Sequence, residues 1–144
     1  MTLEIEIEQF LVNHPYIIRP SFAQANIKRQ QTKDKHRLDI LIEYQKQFTI
    51  VEIKRIRINQ HAVDQLSGYI KSFQTKLPLT QTHYLIGQPP MAELHYPSNI
   101  ELLILGKDIP LHYLYDTHQR KYIRYDIEKA ALAGRYDSER RFLL

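Results

Sequence analysis

Two neighbouring segments, residues 37–44 and 47–54, constrain the fold of this chain more than any other part of its sequence. Both are rich in branched and aromatic apolar residues, and a polar pair separates them. This pattern is typical of a β-hairpin. Each segment nevertheless carries an acid inside its apolar run, Asp39 in the first and Glu52 in the second. A charge inside an apolar strand is costly unless it is paired or binds a metal, so the hairpin also indicates a site.

The register of this hairpin decides where the acids lie. A two-residue turn at Gln45-Lys46 places Asp39 directly opposite Glu52, with Cβ atoms about 5 Å apart. Two carboxylates at that distance repel each other, and a divalent cation between them would reverse the sign of the interaction. Lys54 shares the face of Glu52 because side chains alternate along a strand. Gln-Lys is an unfavourable pair for a two-residue turn, so a longer turn stays open, and a slip of one residue would separate the acids.

A helix is predicted over residues 60–76, where apolar residues keep helical spacing and Pro78 follows. Gln65 and Tyr69 are four residues apart, so they lie one turn apart on the same face. One interpretation places Gln65 against a metal-site water or a phosphate, with Tyr69 supporting it. The alternative is that Tyr69 belongs to the core and Gln65 to its boundary.

The other elements follow from periodicity and from turn residues. Residues 3–13 predict a first helix, although the alternation of Ile and Glu there also allows a strand. The further predictions are a strand over 22–31, a polar turn over 30–35, strands over 82–86 and 100–105, a helical turn over 91–95, a hairpin over 111–125 with its turn at Thr117-His118, and a short helix over 126–133.

The order of Asp39, the triplet Glu52-Ile53-Lys54 and the pair Gln65 and Tyr69 resembles the PD-(D/E)XK nuclease superfamily. The pair matches the QxxxY motif of its RecB-like members, and the hairpin resembles the NucS-type endonuclease domain. The resemblance covers about residues 3–105. It implies an α/β fold with a restriction-endonuclease-like core of order αβββαβ, in which helices flank a mixed central sheet. A single domain is then expected, with residues 106–144 as a C-terminal extension that carries the extra hairpin.

The resemblance also implies a chemistry, the metal-dependent hydrolysis of DNA phosphodiester bonds by an endonuclease. Carboxylate oxygens suit Mg²⁺ or Mn²⁺, and Asp39 and Glu52 are the predicted ligands. The Ile53 carbonyl and Glu8, an acid on the first helix, are further ligands that the family implies. Lys54 is expected to orient the attacking water or to stabilise developing charge. Gln65, Tyr69 and Glu8 complete the predicted catalytic set.

Three arginines near the hairpin, Arg37, Arg55 and Arg57, are predicted to contact DNA phosphates, which positions a substrate without reading its sequence.

Two alternatives stay open. The acids and Lys54 can form a structural ion cluster, and the chain can be a catalytically inactive module for nucleic-acid binding or assembly. Glu8 can likewise belong to a solvated helix face.

Charge and composition limit the classes of partner and of metal site that this chain can have. The 144 residues carry 20 basic and 16 acidic side chains, a net charge of +4 that favours a polyanion such as DNA. The absence of Cys excludes a disulfide scaffold and a cysteine zinc site, and none of the seven His residues forms a ligand pair. A cytoplasmic protein without a membrane segment is expected. The Tyr-rich, basic hairpin over 111–125 predicts a homodimer surface or a DNA-facing wall, with tyrosine packing in a core as the alternative.

Overall fold

The computed structural model describes residues 3–33, 36–109, 111–116 and 121–126. The chain divides into two compact units, Met1–Leu103 and Ile104–Leu144. The helices of the described part are α1 (Leu3–Asn13), two 3-10 helices (Pro15–Ile17 and Pro20–Gln24) and α2 (Gln60–Gln74). The strands are β1 (Asn26–Lys33), β2 (His36–Tyr44), β3 (Gln47–Arg57), β4 (His83–Gln88), β5 (Ile100–Ile104), β6 (Leu111–Asp116) and β7 (Lys121–Asp126).

The larger unit is built on a five-stranded sheet of order β1-β2-β3-β4-β5. Strands β1, β2 and β3 are antiparallel neighbours, whereas β3 and β4 are parallel. A parallel pair needs a crossover, and α2 lies in the connection between these two strands. The sheet is therefore mixed and flanked by helices, which confirms the predicted α/β class.

The central hairpin has the predicted two-residue turn. Gln45 and Lys46 both adopt the left-handed backbone conformation, with φ of 52° and 65°, as a primed turn requires. The register runs from the pair Tyr44 and Gln47 to the pair Ile40 and Val51. The alternative of a longer turn is therefore wrong. Residues 48–53 of β3 are all buried, so a shift of the register by one residue would disturb the packing on both faces of the strand. This burial outweighs the strain of placing two non-glycine residues in the turn.

The helices bury the stripes that their periodicity predicts. In α2, the N-cap residue Asn59 accepts a hydrogen bond at Oδ1 from the Ala62 amide at 2.9 Å, which begins the helix at Gln60. Residues 3–13 form a helix, so the alternative of a strand there is wrong. The buried side chains of the two helices include Ile7, Phe10 and Leu11 of α1 and Ala62, Val63, Leu66, Ile70 and Phe73 of α2.

Three predicted segments differ from the structure by more than a residue or two at an end. A 3-10 helix precedes β1, which begins at Asn26 rather than at 22. The polar turn predicted over 30–35 is wrong for residues 30–33. These polar residues belong to β1, which pairs with β2 as far as Lys33. Residues 91–95 form an irregular loop instead of a helical turn. The Gln60 side chain binds both the amide and the carbonyl of His95, so this loop meets its backbone hydrogen bonds without a helix.

The smaller unit begins with a tight turn. Gly106 has a φ of 83°, and its amide donates to the Ile109 carbonyl at 2.9 Å. The predicted C-terminal hairpin is present as the antiparallel strands β6 and β7. Its predicted turn at 117–118 and the predicted helix over 126–133 fall on residues outside the described ones, apart from position 126. In the described part of the chain, no helix combines the length and apolar character that a bilayer crossing needs.

Candidate active site

The two acids of the hairpin meet where the paired stretch of β2 and β3 ends. Backbone pairing extends to Ile40 and Val51, and the next residue on each strand is an acid. The Asp39 amide donates to Glu52 Oε1 at 3.2 Å, and the Ile53 amide donates to Asp39 Oδ2 at 2.8 Å. Each carboxylate therefore accepts a hydrogen bond from the backbone of the opposite strand. The juxtaposition expected from the register is present.

Burial makes this pair electrostatically unusual. Glu52 is only 4% exposed, whereas Asp39 is half-buried. Burial, followed by the negative charge of Asp39, raises the pKa of Glu52 to about 9. Burial also raises the pKa of Asp39, against the hydrogen bond from the Ile53 amide. Near neutral pH the pair therefore retains a proton on Glu52, which bonds to the Asp39 carboxylate and relieves the repulsion between them.

Lys54 links the acids to helix α2. Its Nζ donates to Gln65 Oε1 at 2.8 Å, and its positive charge lowers the pKa of Glu52. Gln65 also hydrogen-bonds Tyr69, whose pKa is raised by burial and then by the charges of Glu52 and Asp39. The structure thus brings five of the predicted residues into one cluster. Gln65 contacts Lys54 within it, rather than standing apart as an independent group.

Glu8 is held beside this cluster by a residue that sequence reasoning missed. It is 2% exposed on α1, and its Oε1 accepts from Arg29 Nε at 2.9 Å. Its negative charge contributes to the raised pKa of Asp39. The two partners are 21 residues apart on different elements, and no local sequence pattern signals such a contact.

The remaining predicted residues lie at or beyond the edge of the cluster. Arg55 and Arg57 are exposed at the end of β3, where Arg57 Nη1 donates to the Pro89 carbonyl at 3.1 Å. The side chain of Arg37 lies outside the described residues. Ile53 bonds Asp39 through its amide, and the predicted role of its carbonyl stays a prediction.

The donor chemistry of the acid pair fits a divalent cation. Two carboxylates offer hard oxygen ligands. Burial raises the pKa of both acids, so a bound cation would favour their ionised forms. Among the residues that the structure describes, no three acidic, histidine or cysteine side chains gather closely enough to hold an ion. The roles of Asp39, Glu52 and Glu8 as metal ligands stay predictions. A Mg²⁺ ion bound by one or two carboxylates keeps several of its waters, so two protein ligands suffice.

Comparisons of the chain with models of protein families, with curated proteins and with solved structures found no match in any of the three.

Proposed function

We propose that this chain is a metal-dependent endonuclease that hydrolyses the phosphodiester bonds of DNA, on a restriction-endonuclease-like core of the PD-(D/E)XK type. One observation carries the proposal. The buried Glu52 and the half-buried Asp39 lie against each other with raised pKa values, next to a lysine that a helix side chain holds in place. Strongly perturbed acids with a specific charge partner are typical of functional sites.

The acids supply the place for a cation. Asp39 and Glu52 would hold Mg²⁺ or Mn²⁺, with the Ile53 carbonyl and Glu8 as further proposed contributors. When bound, such an ion neutralises phosphate charge and lowers the pKa of a bound water. Release of the Glu52 proton accompanies binding, because a carboxylate must be ionised to act as a ligand.

Lys54 contributes the positive group at the reacting phosphate. Its ammonium orients the attacking water or stabilises the negative charge that develops on the phosphoryl oxygens. Gln65 Oε1 accepts a hydrogen bond from one of the three N–H groups of the Lys54 ammonium. This contact limits the directions in which the other two N–H groups point. Tyr69, bonded to Gln65, completes this positioning chain.

DNA is the proposed partner. Arg37, Arg55 and Arg57 would contact its phosphates and set its register on the protein. A second copy of the chain is a further proposed partner, because cleavage of both strands requires two sites. The hairpin of β6 and β7 supplies the Tyr-rich, basic sequence for that contact or for a contact with DNA.

One observation favours a second candidate function, an inactive nuclease-fold module that binds nucleic acid or supports assembly. With a proton on Glu52, the acid pair satisfies its own hydrogen bonds, and Lys54 has Gln65 as a partner. The cluster is therefore closed without a cation. Binding of DNA without cleavage is the behaviour expected of this alternative.

Nicking of supercoiled plasmid in Mg²⁺, in Mn²⁺ and in EDTA tests the proposal. Wild type is expected to nick DNA only with metal, and Asp39→Asn and Glu52→Gln are expected to fall to background. Glu101→Gln, which removes an acid exposed on β5, is the matched control and is expected to cleave like wild type. Cleavage by Glu52→Gln at the wild-type rate would overturn the assignment.

Thermal unfolding provides a readout that does not depend on cleavage. Mg²⁺ is expected to raise the melting temperature of wild type and of Glu101→Gln, but not of the two site variants. An ion at a hundred times its Kd stabilises a folded protein by about 2.7 kcal/mol. A wild type that binds DNA, shows no shift with metal and does not nick identifies the inactive module.

A further inference from the structure

A groove lies where β3 and β4 end and α2 begins. It has a volume of about 640 Å³ and is lined by residues 56–60, by Gln88 and by residues 91–94 of the loop that follows β4. Strands β3 and β4 are parallel neighbours, and in open α/β sheets ligands bind in the crevice outside the carboxyl ends of such strands. The groove therefore lies where this architecture favours a ligand.

The groove is formed before any ligand arrives, because side chains tie its loop to the two elements beside it. The Gln60 side chain of α2 binds both the amide and the carbonyl of His95. On the other side, Arg57 Nη1 donates to the Pro89 carbonyl at 3.1 Å. A ligand that enters a fixed groove does not have to order the loop, so less of its binding free energy is lost.

A bulge in β3 exposes one apolar wall of the groove. Ile53 pairs with Ile86 and Arg57 with Gln88, so β3 carries two extra residues in this interval. Ile56 lies within it and is 52% exposed, although it belongs to a strand whose preceding residues 48–53 are buried. Bulges redirect side chains and are common next to functional sites.

The opposite wall carries Met91, which is 85% exposed. Five large apolar side chains are exposed in the part of the chain that the structure describes, and Met91 and Ile56 bring two of them to this one groove. Apolar residues that are exposed singly are ordinary, whereas an apolar patch with a polar rim marks an interaction site.

Two elements connect the groove to the candidate active site. On β3, Ile56 follows Lys54 by two residues, a distance of at most about 7 Å along a strand. On α2, Gln60 lines the groove, and Gln65, which accepts from Lys54, lies about 7–8 Å further along the helix. A ligand that fills the groove is therefore close enough to extend into the candidate active site.

A nucleotide combines the two properties that this groove can recognise. Its base has apolar faces, which suit Ile56 and Met91, and its phosphate is an anion, which suits Arg57. The Arg57 side chain is exposed, and its bond to Pro89 uses one of the five N–H donors of the guanidinium. A base that is stacked in a duplex hides its faces, so only a base outside the stack can enter.

We propose that this groove binds one unpaired base of the DNA strand that enters the candidate active site. The inference rests on the proposed function and deepens it, because it makes DNA with an unpaired nucleotide the preferred substrate.

Three short duplexes of equal length separate recognition of the base from attraction by charge. One is fully paired, one has a single unpaired nucleotide in one strand, and one has at that position the same sugar and phosphate without a base. Affinities are measured in EDTA at several salt concentrations, so that cleavage plays no part. Wild type is expected to bind the duplex with the unpaired base about tenfold more tightly than either of the others, an effect within the range of one stacked base.

Variants of the two apolar walls test the groove directly. Met91→Ala and Ile56→Ala each truncate a side chain that is more than half exposed, so little effect on folding is expected. Both are expected to lose most of the preference for the unpaired base and to keep the slope of log affinity against log salt. Tyr16→Ala, which truncates an exposed side chain outside the groove, is the matched control and is expected to keep the preference. Arg57→Ala is expected to lower the slope by about one for all three duplexes, the effect of a lost phosphate contact.

The outcomes separate this inference from the nuclease assignment. Equal affinity of wild type for the unpaired base and for the site without a base overturns the inference, and so does a preference that Met91→Ala or Ile56→Ala retains in full. If wild type does not cleave but shows a preference that both variants lose, the groove binds a base on an inactive module. If wild type cleaves with metal but shows no such preference, the inference about the groove is wrong and the nuclease assignment stands.

Discussion

Strand β3 takes part in two buried polar clusters of opposite character. One of them is neutral and closed. The His83 side chain on β4, which is 1% exposed, accepts at Nδ1 from the Ile50 amide at 2.9 Å. Next to it the hydroxyls of Thr49 and Thr80 are bonded at 2.9 Å. Burial lowers the pKa of His83 to about 4, so the imidazole is neutral at pH 7 and every group in this cluster is satisfied by protein atoms.

The other cluster contains two acids, the half-buried Asp39 and the buried Glu52. Each carboxylate accepts a hydrogen bond from a backbone amide of the opposite strand, and burial followed by the charge of Asp39 raises the pKa of Glu52 to about 9. Hydrogen bonds among neutral groups make the histidine cluster part of the fold. The acid pair is costly for the fold by itself, and this cost is the physical reason for proposing a function for it.

The largest expected difference between the clusters is in cleavage. Lys54→Ala keeps both carboxylates and is expected to slow cleavage about a hundredfold or more, because one charge-stabilising group is lost. Lys71→Ala, an exposed lysine in the last turn of α2, is the control for loss of charge. Single-turnover rates with saturating metal measure the effect. Equal rates for the two variants would place Lys54 outside the chemistry.

The free energy of unfolding is expected to depend more on the histidine cluster than on the acid pair. His83→Ala leaves the buried Ile50 amide without its acceptor and opens a cavity, which together cost about 2–4 kcal/mol. Glu52→Gln removes the raised acid and in EDTA is expected to be as stable as wild type or more so. Urea unfolding of the three proteins measures both. A loss from Glu52→Gln as large as that from His83→Ala would show that the acid pair is a structural cluster.

Per unit of pH, the smallest expected effect is on the pH dependence of stability. Glu52 ionises near its ordinary value of 4.5 when unfolded and near 9 when folded. Its stabilising contribution is complete below 4.5 and is lost as pH rises towards 9, because the folded state then binds more protons.

His83 behaves with the opposite sign, since its pKa falls from 6.5 to about 4 on folding. Its contribution is complete above 6.5 and is lost as pH falls towards 4. Each slope is at most about 1.4 kcal/mol per pH unit, because one proton is involved. The unfolding free energy of wild type minus that of Glu52→Gln should fall as the pH rises from 5 to 9. The same difference for His83→Ala should rise between pH 4 and 6.5. A flat profile for Glu52 would mean that its pKa is not raised.

Much of the fold was predictable because its signals are local. The alternation of apolar residues around Gln45-Lys46 set a register that the paired residues confirm, and that register predicted the meeting of Asp39 and Glu52. The helical spacing of α2 placed Gln65 and Tyr69 on one face. The start of β1 was predicted less well, because its polar residues are held by pairing with β2 rather than by their own apolar pattern.

The sequence by itself thus determined most of the helices and strands, the hairpin register and the set of polar residues at its open end, because strand alternation and helical periodicity depend on neighbouring residues. Only the tertiary structure decided that Lys54 bonds Gln65, that Glu8 holds Arg29 and that Glu52 is buried deeply enough to keep its proton. These contacts join residues on separate elements, and desolvation is a property of the whole packed surroundings, so no periodicity along the chain encodes them.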